Sequence, residues 1–267
     1  MGFELDAYLR RVGYGGDTRP TFETLAALLR AHMLAIPWEN VDVLLGRGIR
    51  IDLEGVQQKL VQHRRGGYCF EHGTLFAAAL EALGFAVSPH VARVTLFVPR
   101  PHAPRTHMFL TVALPEGRFV VDPGFGGLAS DVPLPIGDTA ADGPRSGTHR
   151  IDIEGGLYVL RALADDKWID AWVSTLEQEN PIDFEMANHF TSTHPGSQFV
   201  NRLLMRALTP DGRVTVMNRE ATIRKDGAPP VPRTLDRAGL RALLNDFFGF
   251  DLPEAEQLRV PSVPEWT

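Results

Sequence analysis

One cysteine occurs in the 267 residues of this chain, and it lies in the stretch RRGGYCFEHG at 64–73. It follows a glycine pair and precedes a run of helix formers. A thiolate is a far stronger nucleophile than a thiol, and the unpaired N–H groups of a helix start favour the anion. Gly66 and Gly67 allow the backbone to turn sharply and to approach a substrate closely. Cys69 therefore has the setting of a nucleophile. Simple burial beside its aromatic neighbours is the plainer alternative, and residue type alone does not separate the two.

A nucleophilic cysteine needs a histidine to take its proton and a third group to orient that ring. Nine histidines are available. His72 shares a helix with Cys69 but would point back toward it poorly. His107, in THMFL (106–110), lies on a strand opposite the apolar set Met108, Leu110, Val112 and Leu114, where a polar ring needs a partner. Asp122 ends the following strand, yet Asp before Pro-Gly is also good turn chemistry. A regular hairpin about Glu116–Gly117 pairs residue 107 with about residue 126, so joining His107 to Asp122 would take a bulge or bend. Gly124-Phe125-Gly126-Gly127 could turn several N–H groups toward an anion such as a pyrophosphate, although no Walker or dinucleotide fingerprint surrounds it. Cys69 and His72 have ligand spacing, but there is no second cysteine and no HExxH, so no metal is expected.

The elements that must position these groups change character along the chain. Leu5, Tyr8, Leu9 and Val12 recur at helical spacing, and Thr21 can cap a run through Leu25, Leu28 and Leu29 that stops at Ile36-Pro37. Asp52 can cap a third helix through Val56 and Leu60, and a fourth runs from near Cys69 to Gly84. The period then becomes two. Strands are expected where Val94, Leu96 and Val98 alternate with Arg93 and Thr95, over 107–114, and in RFVV. Others are expected in RIDIEG, LYVLRAL and KWIDAWV, after a polar loop at 138–147. Asn180-Pro181 opens a short helix. A hairpin about Asp211-Gly212 leads to a last helix capped by Thr234, carrying Leu240, Leu243, Leu244 and Phe247. Helices first, strands next and a small mixed lobe last make an α+β chain.

Composition sets the outer bounds. The length predicts two or three lobes. A formal charge of −6 argues against nucleic acid or an anionic membrane as main partner. One cysteine forms no internal disulfide, which suits a reducing cytoplasm. MGFELDAYLRR has no signal-peptide core, no apolar run is long enough to span a bilayer, and Gly2 lacks a myristoylation context. A soluble, cytoplasmic protein is expected.

Taken together and in order, IPWEN (36–40), RRGGYCFEHG, THMFL, VDPGFGG (121–127) and THPGSQF (193–199) resemble the arylamine N-acetyltransferase family, over essentially the whole chain. The resemblance implies a cysteine-protease-like arrangement: an N-terminal helical bundle (1–85), a central β-barrel (86–198) and a C-terminal α/β lid (199–267). It implies a triad in which Cys69 accepts the acyl group, His107 is the base and Asp122 orients it. Acetyl-CoA would be a co-substrate, with no tightly bound cofactor, touching Thr106, Gly124, Gly126, Gly127 and Phe199. The other substrate would be a small aromatic amine or hydrazine, its ring against Trp38 and Phe125, for which core packing is the plain alternative. An ion pair between Glu39 and Arg64 is expected to tie the loop after Pro37 to the segment before Gly66. Trp38 stands where the family often has Phe, Gly73 where Asn is common, and Pro123 where a small apolar residue is usual. Three other functions share these residues: a macrolactam-forming amide synthase acting on a carrier-bound polyketide, a hydrolase with the same triad, and a non-catalytic binding protein.

Overall fold

The computed structural model describes residues 2–137, 147–164 and 166–266. The polar loop expected at 138–147 lies outside them except for Gly147. Helix α1 (Leu5–Val12) stops at Gly13, which takes the left-handed conformation at φ 68°. Helix α2 (Phe22–Ala35) begins where Thr21 accepts the Thr24 N–H, and it ends at Ile36 because Pro37 follows. A two-residue strand, β1 (Trp38–Glu39), and a short helix, α3 (Val41–Leu44), come next. Helix α4 (Leu53–Val56), capped by Asp52, continues as one π-helical stretch over Gln57–Gln62. Helix α5 (Cys69–Ala82) starts at the cysteine itself.

Among the described residues seven strands follow: β2 (Ala86–Val94), β3 (Arg105–Leu114), β4 (Gly117–Val121), β5 (Leu134–Pro135), β6 (His149–Glu154), β7 (Leu157–Ala164) and β8 (Lys167–Ser174). They join in the order β5-β4-β3-β2-β8-β7-β6, and β5 comes back to β6, so the sheet curls into a nearly closed barrel. Helices α6 (Pro181–Thr193) and α7 (Gln198–Asn201) lead to β9 (Leu204–Thr209), β10 (Gly212–Met217), β11 (Glu220–Lys225), β12 (Val231–Thr234) and α8 (Arg237–Leu243). The second sheet has the order β1-β9-β10-β11-β12, so two residues from the helical third of the chain form its edge. The class is α+β, as expected. Among the described residues no helix is long and apolar enough to cross a membrane.

Two cores hold these layers. One joins Tyr8, Leu25 and Phe76 of the helices to Phe109, Leu110 and Trp172 of the seven-stranded sheet. The other joins Met205, Val214, Leu240, Leu244 and Trp266, and it includes Val41 from just after β1. The strand expected through Leu96 and Val98 lies earlier. Pairing in β2 passes a bulge at Ala92/Arg93 and ends at Val94, and Phe97 beyond it is 59% exposed. Pro99, Pro101 and Pro104 follow, and a residue without an N–H cannot extend a ladder. Between the Asp211-Gly212 hairpin and the last helix the chain also inserts β11 and β12, which alternation did not announce.

The last helix is capped by Asp236, whose carboxylate accepts the Gly239 N–H at 2.7 Å. Thr234 instead ends β12 and donates its hydroxyl to Glu220. Asp236→Ala should therefore cost about 1 kcal/mol of stability in urea unfolding. Thr234→Ala should stay within about 0.5 kcal/mol. The reverse ranking would return the cap to Thr234.

Candidate active site

Cys69 is the first residue of α5, after Tyr68 in extended conformation at φ −117°. That bend is held by Glu71, whose Oε2 accepts the Tyr68 N–H at 3.0 Å. The Tyr68 hydroxyl donates to Asn188 of α6, fixing the other side of the turn. Burial pushes the Glu71 carboxyl above its ordinary range, against the pull of Lys59. Lys59 Nζ lies 2.7 Å from Glu71 and 2.9 Å from Asp42, and Arg65 lies 3.0 Å from Glu39 and 3.2 Å from Asp42. The ion pair expected of Arg64 thus belongs to Arg65. Arg64 takes a left-handed backbone, φ 55°, and its side chain is exposed.

His107 and Asp122 meet within one hairpin. Leu114 pairs with Gly117 and Leu110 with Val121, a turn two residues tighter than the one expected about Glu116–Gly117. Continuing that register sets Asp122 opposite Phe109, hence diagonal to His107 on the same face and within reach. No bulge is needed. His107 Nε2 donates to Asp122 Oδ2 at 2.8 Å, with both side chains 4% exposed. Burial works against a charge on the ring, but the Asp122 carboxylate and then Cys69 outweigh it and lift the imidazole to about 10. With Nε2 given to Asp122, Nδ1 is the ring nitrogen left for the thiol. The Cys69 sulfur also lies 3.9 Å from the Thr106 carbonyl oxygen.

His72, the other candidate base, is occupied elsewhere. Its Nδ1 is 2.9 Å from His32 Nε2 and its Nε2 is 3.2 Å from the Pro37 carbonyl.

The glycine loop closes over the thiol. A methyl group on Gly124 would sit 2.5 Å from the Cys69 Cα, so only glycine fits there. The Phe125 ring centre is 4.9 Å from that of His107. Gly126 has φ 71°, and a Cβ on it would come within 3.1 Å of the Trp38 indole, whereas a Cβ on Gly127 would meet nothing within 4 Å. Phe199 stands edge-on to Trp38 at 5.8 Å and to Tyr68 at 5.4 Å. Of the residues singled out in the sequence, Thr106 and Gly124 thus lie against Cys69, Phe125 and Asp122 against His107, and Gly126 and Phe199 against Trp38.

Two partners were not legible in the sequence. Trp172 of β8, fully buried, donates its indole N–H to Asp122 Oδ2 at 3.0 Å. Arg206 of β9, opposite Trp38, donates to the Gly126 carbonyl at 2.6 Å and holds the loop from behind. Both belong to strands paired from distant parts of the chain, and neither carries a local motif.

A family model described as N-acetyltransferase matches residues 21–257. The arylamine N-acetyltransferase of Mycolicibacterium smegmatis is 36% identical, covering 94% of this chain and 94% of that protein. The arylamine N-acetyltransferase of Escherichia coli K12 is 35% identical, covering 94% of this chain and 90% of its own length. Among solved structures, Mycobacterium marinum arylamine N-acetyltransferase in complex with CoA superposes with a TM-score of 0.86 at 34% identity, covering 94% of each chain. The Salmonella typhimurium enzyme superposes with 0.87 at 34% identity, over 96% of this chain and 97% of that one.

The raised imidazole has a consequence for stability. Folded, His107 holds its proton up to about 10; unfolded, it loses it near the ordinary histidine value of about 6.5. Its stabilising contribution is complete below about 6.5 and is lost as pH rises through about 10. The urea midpoint of the wild type should therefore fall more steeply between pH 6.5 and 10 than that of His107→Gln. Parallel slopes would mean that the ring is neutral in the folded protein.

Proposed function

The chain belongs to the arylamine N-acetyltransferase family, and we propose that it moves the acetyl group of acetyl-CoA to aromatic amines or hydrazines through an acetyl-Cys69 intermediate. The reading is carried by the buried His107–Asp122 pair set beside the one thiol of the chain, under a loop that only glycine at 124 allows to close. In this reading His107 takes the thiol proton and Asp122 steadies the imidazolium without taking the proton itself. The thiolate attacks the thioester carbonyl. The Cys69 N–H, at the first position of α5 and without an intrahelical acceptor, is the donor for the oxyanion. Coenzyme A then leaves with the imidazolium proton. One thioester has replaced another, so the acetyl group stays activated.

In the second half the amine attacks the acetyl-cysteine, His107 takes the amine proton and the Cys69 thiolate leaves. The nucleophile must arrive with its lone pair free. Anilines and hydrazines do so at pH 7, and alkylamines, protonated there, do not. Trp38 and Phe125 give the flat apolar surfaces for the ring. Thr106, Gly124, Gly126, Gly127 and Phe199 are assigned to coenzyme A, the glycine N–H groups toward its pyrophosphate. The helical bundle with the nucleophile (1–85), the barrel with its two partners (86–198) and the lid (199–267) are the corresponding units. An unpaired thiol suits the cytoplasm, where we place the enzyme.

Acetyl-CoA without amine should add one acetyl mass to the protein, on Cys69, and Cys69→Ser should abolish it. Label on a lysine, or turnover with no label, would sink the mechanism. Hydrazines and substituted anilines should discharge that intermediate about a hundredfold faster than benzylamine at pH 7. Discharge by water at the aniline rate would make the protein a hydrolase, and discharge only by a carrier-bound chain would make it an amide synthase.

The pyrophosphate assignment is best tested at Gly127. Gly126 is unsuitable, since any side chain there meets both its left-handed backbone and the Trp38 ring. Gly127→Val points into open space and should raise the KM for acetyl-CoA about tenfold while leaving that of the amine unchanged. Equal effects on both substrates would leave the glycines purely structural.

A further inference from the structure

Three buried side chains outside the acyl-transfer steps form one continuous hydrogen-bond chain. Tyr8 of α1 lies 3.0 Å from His32 Nδ1, His32 Nε2 lies 2.9 Å from His72 Nδ1, and His72 Nε2 lies 3.2 Å from the Pro37 carbonyl oxygen. Tyr8 and His32 are fully buried and His72 is 1% exposed. The direction of every bond is fixed by its end. A carbonyl only accepts, so His72 Nε2 carries hydrogen and its Nδ1 must accept from His32 Nε2–H. His32 Nδ1 then accepts from the Tyr8 hydroxyl. Reversing the chain would set a ring lone pair against the carbonyl lone pairs. Burial keeps both rings neutral, pushing His72 down to about 4 and His32 well below its ordinary range.

The carbonyl at the end of this chain is where two walls of the cleft meet. Pro37 O also accepts the Gly67 N–H at 3.2 Å, and Glu39 N donates to Gly67 O at 2.8 Å, which makes the Trp38–Gly67 bridge. A methyl group on Gly66 would lie 2.4 Å from the same oxygen. On one side of Pro37 O lies Trp38, and on the other the turn that delivers Cys69. Strand β1 has only two residues, so its own ladder cannot fix the angle of the indole.

We propose that Tyr8, His32 and His72 are positioning residues that orient the Pro37 carbonyl and so hold the Trp38 ring in register with Cys69 for the incoming amine. The proposal rests on the reading of Trp38 as the aryl surface and of Cys69 as the acyl acceptor. Helix α5 is fixed independently by its core, so loss of the chain shifts Trp38 more than the sulfur. The amine half-reaction should suffer while formation of the acetyl-enzyme is spared.

The first measurement is on the wild type without substrate. Nitrogen-15 spectra of labelled histidine, assigned through His32→Gln and His72→Gln, should show both rings as neutral Nε2–H tautomers. A proton on Nδ1 of either ring overturns the chain. The second is kinetic. His72→Phe removes the donor to Pro37 and should raise the KM for an aniline about tenfold, while the rate of Cys69 acetylation stays within about threefold. His72→Gln, whose amide N–H can still reach the carbonyl, should restore most of the loss. Equal slowing of both half-reactions, or no change in either, overturns the positioning role. If His72→Phe does not fold, Tyr8→Phe removes one hydroxyl and is held to the same split, in weaker form. A wild type that takes no acetyl group on Cys69 sinks the acyl-cysteine reading instead, and the tautomers then still decide the chain.

Discussion

The site is divided between a helix that carries the thiol and a hairpin that carries the imidazole and carboxylate, and a contact without room for a methyl group brings them together. A Cβ on Gly124 would lie 2.5 Å from the Cys69 Cα. Glycine there lets the loop after β4 settle onto the start of α5. A sulfur–imidazole pair works only over hydrogen-bond distances, and a displacement of about 1 Å is enough to cost much of the rate. The apolar core joining α2, α5 and the barrel supplies the adhesion, but adhesion is indifferent to direction. Close approach at Gly124 is what converts it into a distance.

Charge beneath the site is arranged on the same principle. Glu39, Asp42 and Glu71 share Lys59 and Arg65 in a largely buried group, with Arg65 also resting over the Phe250 ring at 4.8 Å. An apolar group of similar volume would serve stability as well or better, whereas breaking such a pair leaves a stranded charge at about 3–5 kcal/mol. What the group adds is direction. Glu71 caps Tyr68, Glu39 Oε2 accepts the Val41 N–H at 2.7 Å, and Lys59 and Arg65 prevent either carboxylate from turning away. Helix start and β1 are thereby tied to one cluster from below, while the Tyr8–His32–His72 chain reaches them from the side.

Much of this was legible in the residues because it is local. Thr21, Asp52 and Gly84 punctuate helices by chemistry that acts within a turn, and the alternation of residues 107–114 marks β3 whatever its partners. The α+β class follows from the order of such segments. What escaped is set by pairing across the chain or by a single backbone torsion. The partnership of β1 with β9 joins residues far apart in sequence, and two residues show no period. Arg64 and Arg65 are the same residue type, and the left-handed torsion at Arg64 is what decides which faces Glu39. The Glu116–Gly117 hairpin closes two residues tighter than a regular reading gave, and that step alone separates a remote His107–Asp122 pair from a diagonal one. Trp172 reads in sequence as an apolar residue of a strand. Its function lies in one N–H, which periodicity does not register.

That N–H bears on how the carboxylate works. Asp122 Oδ2 accepts from both His107 and Trp172, while Oδ1 is buried with no hydrogen-bond partner among the described residues. Two donors converge on one oxygen, and one of them is the His107 ring. The anion is thus held by the very imidazolium it stabilises, and the indole, which cannot give up its proton, keeps the carboxylate in plane as the ring's charge comes and goes. If the sulfur delivers its proton to His107, the positive ring stands against a carboxylate already held at hydrogen-bond distance. The buried carboxylate strengthens the hold of His107 on a proton, and the Phe109 ring, stacked 4.3 Å from Trp172, fixes the indole that donates to it.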